Sequence, residues 1–81
     1  MELSQLNKGS LVLFARKREN IHAIILDSKK PTDKKRHLNV MFENKELKAI
    51  AWITAFNEIV IRIIFDNHTD NIFKIKSIIQ S

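Results

Sequence analysis

Three short runs of cations carry most of the chemistry this sequence offers. Arg16-Lys17-Arg18, Lys29-Lys30 and Lys34-Lys35-Arg36 place eight basic side chains between positions 16 and 36. Lysine and arginine at that density neutralise phosphates and release counterions from a nucleic-acid backbone. The resulting affinity ignores base sequence and falls with added salt. The same runs, as solvated loops, also keep a small apolar fold in solution. Both readings stay open here. The surplus is local: Lys8 to Arg36 holds nine basic and three acidic residues, His37 to Ser81 holds five of each, and Glu2 brings the net charge to +5.

Phe14, His22, Trp52 and Phe56 are the residues able to stack on bases beside those charges. Core packing is the expected role of Phe14 and Trp52. Phe56 falls in a turn and is the better candidate for exposure, and His22 reads as an ordinary strand residue. His22, His37 and His68 have no ligand spacing, and the chain has no cysteine, whereas a zinc site wants three or four ligands. Asp66, His68 and Asp70 alternate in a polar stretch and read as turn formers rather than a catalytic set. There is no nucleophile-base order, carboxylate pair or glycine-rich phosphate loop. The expectation is a binding protein and not an enzyme, with no cofactor and no metal.

The elements that must position these side chains are short. The chain of 81 residues is read as one domain with one small core, and its 44% hydrophobic share is that of a globular fold. The absence of cysteine fits a reducing cytoplasm. Met1 to Gly9 is polar, so no signal peptide is expected. The longest apolar runs are interrupted by Arg62, Asp66 or Glu58 and are far short of a membrane span.

One Gly and one Pro leave Asn, Asp, Ser and Lys clusters as the breakers. Leu11 to Ala15 reads as a first strand, Arg16 to Asn20 as a turn, and Ile21 to Leu26 as a second strand. Ser28 to Arg36, with Pro31 inside, reads as a long basic loop. In His37 to Phe42, Leu38, Val40 and Phe42 alternate with His37, Asn39 and Met41, the clearest period of two in the chain. Glu43 to Glu46 reads as a hairpin turn.

Leu47 to Ile53 is open between strand and helix. A strand is favoured, because Ala49 to Ile53 leaves a helix no polar face. It would turn Leu47, Ala49, Ala51 and Ile53 inward and Lys48, Ile50 and Trp52 to the other face. Glu58 to Phe65 is rich in β-branched residues and suits a strand. Ile72 to Gln80 allows either a strand or a helix capped by Thr69 or Asp70, with strand the preferred reading. Five or six short strands with tight turns predict an all-β fold that closes on itself and hides its edges.

The order of these segments resembles SH3-like barrels of the KOW and Tudor type. The resemblance rests on Lys8-Gly9-Ser10-Leu11-Val12, the strand from His22 to Asp27, Leu38-Asn39-Val40-Met41-Phe42, the strand holding Trp52, and Glu58 to Ile61. It covers roughly Lys8 to Ile64. Two departures limit it. Glu19 to His22 lacks the second glycine usual in KOW motifs, and a chain with no Tyr and one Trp cannot build the aromatic cage of methyl-reading Tudor domains. The resemblance implies a small barrel with a tendency to bind nucleic acid. Similar domains occur among small accessory proteins of T-even-like phages, in keeping with heavy use of Ile, Lys and Asn, whose codons are AT-rich.

The expected function is a basic nucleic-acid-binding accessory protein in the host cytoplasm, contacting DNA or RNA phosphates with little base specificity. Its contacts would come from Arg16, Lys17, Arg18, Lys29, Lys30, Lys34, Lys35 and Arg36, with Trp52 or Phe56 on the bases. The alternative is a protein-interaction module that inhibits or redirects an acidic host factor, its basic loops steering the encounter. A third reading, a structural virion component or self-assembling subunit, rests on the Ile-rich strand Ile59 to Phe65, and the oligomeric state stays open. The two basic loops would lie at opposite ends of the second strand, so one continuous phosphate-binding face does not follow from the charge count.

Overall fold

The computed structural model describes residues 1–65 and 71–80. Six strands follow one another around a closed antiparallel barrel: β1 (Leu11–Arg16), β2 (Glu19–Thr32), β3 (Lys35–Phe42), β4 (Lys45–Ile53), β5 (Ile59–Ile64) and β6 (Ile72–Ile79). Each strand pairs with its sequence neighbours, and β6 returns to β1, so Leu11 sits opposite Ile79 and Phe14 opposite Ile75. The architecture is compatible with SH3-like and OB-like barrels. The C-terminal segment is a strand. Asp66, His68, Thr69 and Asp70 lie outside the described residues.

Alternation builds the core. Val12 and Phe14, Ala23 and Ile25, Leu38, Val40 and Phe42, Ala49 and Ala51, Ile59, Ile61 and Ile63, and Ile75 all point inward and are buried. The two alanines of β4 leave room for the β-branched side chains of β5 opposite them, Ala49 facing Ile63 and Ala51 facing Ile61. At one end Phe14, Phe42 and Phe73 gather, with Phe14 and Phe73 ring centroids 4.7 Å apart. Phe65 meets Phe42 edge-on at 5.9 Å.

Closure of so small a barrel requires sharp bending, and bulges supply it. The β2–β3 register slips between Ile25 and Asp27, where Leu26 is the extra residue, and again between Lys29 and Thr32 around Pro31. Proline has no N–H to give a ladder, so a bulge is a natural place for it. A third slip, opposite Leu13 and Phe14, leaves Lys76 as the extra residue of β6.

Three hairpins are tighter than their sequences suggest. The turn after β1 is only Lys17-Arg18, with Lys17 at φ 57°. The turn after β3 is Glu43-Asn44, both at positive φ, the signature of a type I′ turn matched to strand twist. The expected loop from Ser28 to Arg36 is instead a ribbon: β2 runs on to Thr32, β3 starts at Lys35, and only Asp33-Lys34 turn. Both faces of that ribbon meet water, so no apolar alternation marks it as strand.

The polar reading of the first nine residues misses a plug. Leu3–Gln5 form a single 3-10 turn, held by reciprocal Glu2 and Gln5 side-chain contacts, and it rests against β4. Leu3 and Leu6, three residues apart on that turn, are buried in the common core. Gly9 at φ 89° lets the chain swing into β1, where its N–H donates to the Ile25 carbonyl at 2.7 Å.

Candidate nucleic-acid interface

Strand direction decides which cations share a surface. The β1–β2 and β3–β4 turns lie at one end of the barrel, and the β2–β3 and β4–β5 turns lie at the other. The two basic clusters are therefore at opposite ends of β2. At the first end Arg16 is half-buried, forms an ion pair with Glu43 and stands 5.9 Å over the Phe42 ring. Its charge is engaged by a partly exposed ion pair that links the two neighbouring turns. Lys17 and Arg18 project from the turn tip.

At the second end the cations meet aromatic side chains. Lys35 is directly opposite Trp52 across the β3–β4 ladder, and Trp52 is opposite Val60 of β5. This corrects the expectation of a core tryptophan. Inward places on β4 go to Ala49 and Ala51, and odd–even alternation turns Trp52 outward, where it is half-buried. Phe14 is fully buried, and Phe56 is 87% exposed on the β4–β5 turn. That turn is fixed by Thr54, whose hydroxyl oxygen accepts from the Phe56 and Glu58 N–H groups at 3.3 Å each. Asn57 at φ 60° completes it.

The remaining cations sort by partner. Lys30 pairs with Asp33 at 3.0 Å. The Lys30 hydrogen bond and charge, helped by Arg36, hold the Asp33 carboxyl below its ordinary range. A lowered folded pKa means the pairing is present at neutral pH and lost only as pH falls through that lowered value. Acid thus frees Lys30. Arg36 takes the inward register position opposite Ala51 and is half-buried. Lys74 pairs with Glu58. Lys29, Lys34, Lys35 and Lys48 are exposed and make no ion pair among the described residues.

Cross-strand register assembles these groups into rows on the outer wall. Lys29, His37, Ile50 and Arg62 form one row across β2 to β5. The next row holds Asp27, Asn39, Lys48 and Ile64. Between them opens a groove of about 410 Å³ lined by Asp27, Lys29, His37, Asn39, Lys48 and Ile50, among others. Sequence reasoning missed Lys48 and His37 as companions of the basic ribbon. The alternation of β3 and β4 held the signal, because it places both on the outward face. His22 is an exposed strand residue on the far side of β2, opposite Leu13.

A different surface carries exposed apolar side chains. Ile79, Leu11, Ile24 and Met41 stand in one row across β6, β1, β2 and β3. Ile79 is 56% exposed, Ile24 42% and Met41 37%. Among the described residues no helix is long and apolar enough to cross a membrane. No protein-family model, curated protein or solved structure matches this chain.

Proposed function

We propose that this barrel binds nucleic acid through the β2–β3 ribbon and the outer wall of β3 and β4, contacting phosphates with little base specificity. The observation that carries the reading is the row in which Lys35 stands opposite a half-buried, outward-facing Trp52, with unpaired Lys29, Lys34 and Lys48 on the same ribbon and wall. Cations beside an outward-facing ring are the two components that sequence-independent binding needs. The resemblance to KOW-type barrels supports the same reading, as does the AT-rich residue usage for a phage accessory protein acting in a host cytoplasm. Arg16 is removed from the contact set, because Glu43 and Phe42 already engage it.

The test is a mobility shift at low salt with mixed-sequence DNA and RNA. Changing Lys29, Lys34 and Lys35 together to alanine should weaken binding by about three- to a hundredfold on every sequence, since exposed ionic contacts each contribute about 0.2–1 kcal/mol. Binding that is absent at low salt sinks the reading.

A second reading rests on the row Ile79, Leu11, Ile24 and Met41, which makes the barrel a protein-interaction module. Apolar side chains aligned across four strands are a common feature of interaction surfaces. Under this reading, a nuclease-treated lysate yields one stoichiometric protein partner, and Ile24→Lys abolishes its recovery. Retention of the partner by that variant counts against it.

A further inference from the structure

We infer that the nucleic acid taken by the β3–β4 wall is single-stranded, with one base stacked on Trp52 and the neighbouring nucleotide seated in the groove between Lys29, His37 and Lys48. The inference rests on the proposed nucleic-acid reading and goes further by fixing the form of the ligand.

Three features of the wall carry it. Trp52 lies midway across a sheet surface, between Lys35 on β3 and Val60 on β5. An outward-facing ring on a sheet surface is a platform on which the face of an unpaired base can stack. Inside a duplex those faces are already stacked on one another, so the strand must be open for the contact to form. A duplex would meet this wall through its phosphates alone and leave the indole idle.

The groove is the second feature. Its volume of about 410 Å³ falls within the range of sites that hold one small ligand, about 300–1,000 Å³. Ile50 gives it an apolar lining. Lys29 and Lys48 bring positive charge, Asn39 brings an amide, and the Asp27 carboxylate, which also accepts from the Ser28 N–H, is an acceptor suited to a base amino group and not to a phosphate. Two lysines, an amide and a carboxylate around an apolar surface suit a phosphate joined to a base better than a bare anion.

The third feature is spacing. Trp52, Ile50 and Lys48 are successive outward residues of β4, so their rows are about 6.7 Å apart along the strand. His37 sits opposite Ile50 and Asn39 opposite Lys48. The stacking ring and the groove are thus adjacent stations on one line. An extended strand laid along β3 and β4 passes from Lys35 and Trp52 directly into the groove. Ribose and deoxyribose strands share this chemistry.

Trp52 is the only tryptophan in the chain, so its fluorescence reports on the contact without a label. The experiment titrates the full chain with a short mixed-sequence deoxy strand, the matching ribo strand, and the duplex of the same sequence. Quenching by either single strand, with little or none from the duplex, is the expected result. Affinity is measured in parallel by anisotropy of a labelled oligonucleotide. Trp52→Ala should weaken single-strand binding by about ten- to a hundred-fold and leave duplex binding within about twofold.

Trp52→Phe keeps a stacking ring and should retain most of the single-strand affinity. It guards against a folding defect in the alanine variant, and thermal melts accompany both. Lys48→Ala should weaken single strands at unchanged quenching per bound strand. Equal affinity for single strands and duplex, with the indole unquenched, overturns this inference while leaving nucleic-acid binding intact. Failure of every oligonucleotide to bind at low salt overturns the parent reading instead.

Discussion

Raising monovalent salt from about 50 to about 200 mM should weaken single-strand binding roughly 50-fold. The figure follows from four exposed lysines that no carboxylate engages: Lys29, Lys34, Lys35 and Lys48. Each neutralised phosphate releases condensed counterions, and for single strands the slope of log K against log salt is about −0.7 per contact. Four contacts give a slope near −3. If Lys17 and Arg18 also reached the strand, the slope would steepen to about −4. The slope therefore counts the contacts and tells one basic end from two. A titration at several salt concentrations measures it, and Lys35→Ala should make it shallower by somewhat less than one. A slope near zero would show that charge does not drive the complex.

Phe14→Ala is expected to remove a large share of the stability of the fold. Phe14 is fully buried, its ring centroid 4.7 Å from that of Phe73 and 5.7 Å from that of Phe42. Truncating a buried phenylalanine costs about 3–5 kcal/mol, through lost burial and the cavity left behind. A chain of this length has roughly 4–12 kcal/mol in total. At about 4–8 °C per kcal/mol for a small domain, the melting temperature should fall by about 15 °C or more. Phe14→Leu keeps most of the volume and should cost far less. Calorimetry or a circular-dichroism melt settles the matter, and a fall under about 5 °C would contradict the packing described for that end.

Much of the barrel is legible in the sequence because its strands are half-buried. In β3 the alternation of Leu38, Val40 and Phe42 with His37, Asn39 and Met41 fixes both the strand and its facing. The same logic in β4 places Lys48, Ile50 and Trp52 outside. Trp52 is misread as core only when residue type is weighed above position. Phe56 is legible as exposed because a turn has no inward face to offer it.

The features that escape are non-local. Polar residues from Lys29 to Thr32 read as loop, although the ladder to β3 makes them strand. The extra residues at Leu26 and Lys76 follow from barrel closure, which no local window contains. Leu3 and Leu6 look like isolated apolar residues in a polar leader until the open end of the barrel gives them a place. The groove is invisible for a related reason: Lys29, His37 and Lys48 come from three strands and meet only through register. The opposed positions of the two basic clusters, by contrast, follow from strand direction alone.

The alternation that builds the core also divides labour along each strand. In β4, Ala49 and Ala51 face the core, while Ile50 and Trp52 belong to the outer wall. The two sets interleave residue by residue yet face opposite sides, with the closed ladder between them. Selection on one set is therefore nearly blind to the other. A library varied at positions 35, 37, 48, 50 and 52 would sample many surfaces on one folded scaffold. The wall acts as replaceable type set in a fixed frame, and new ligands are open to it without a new fold.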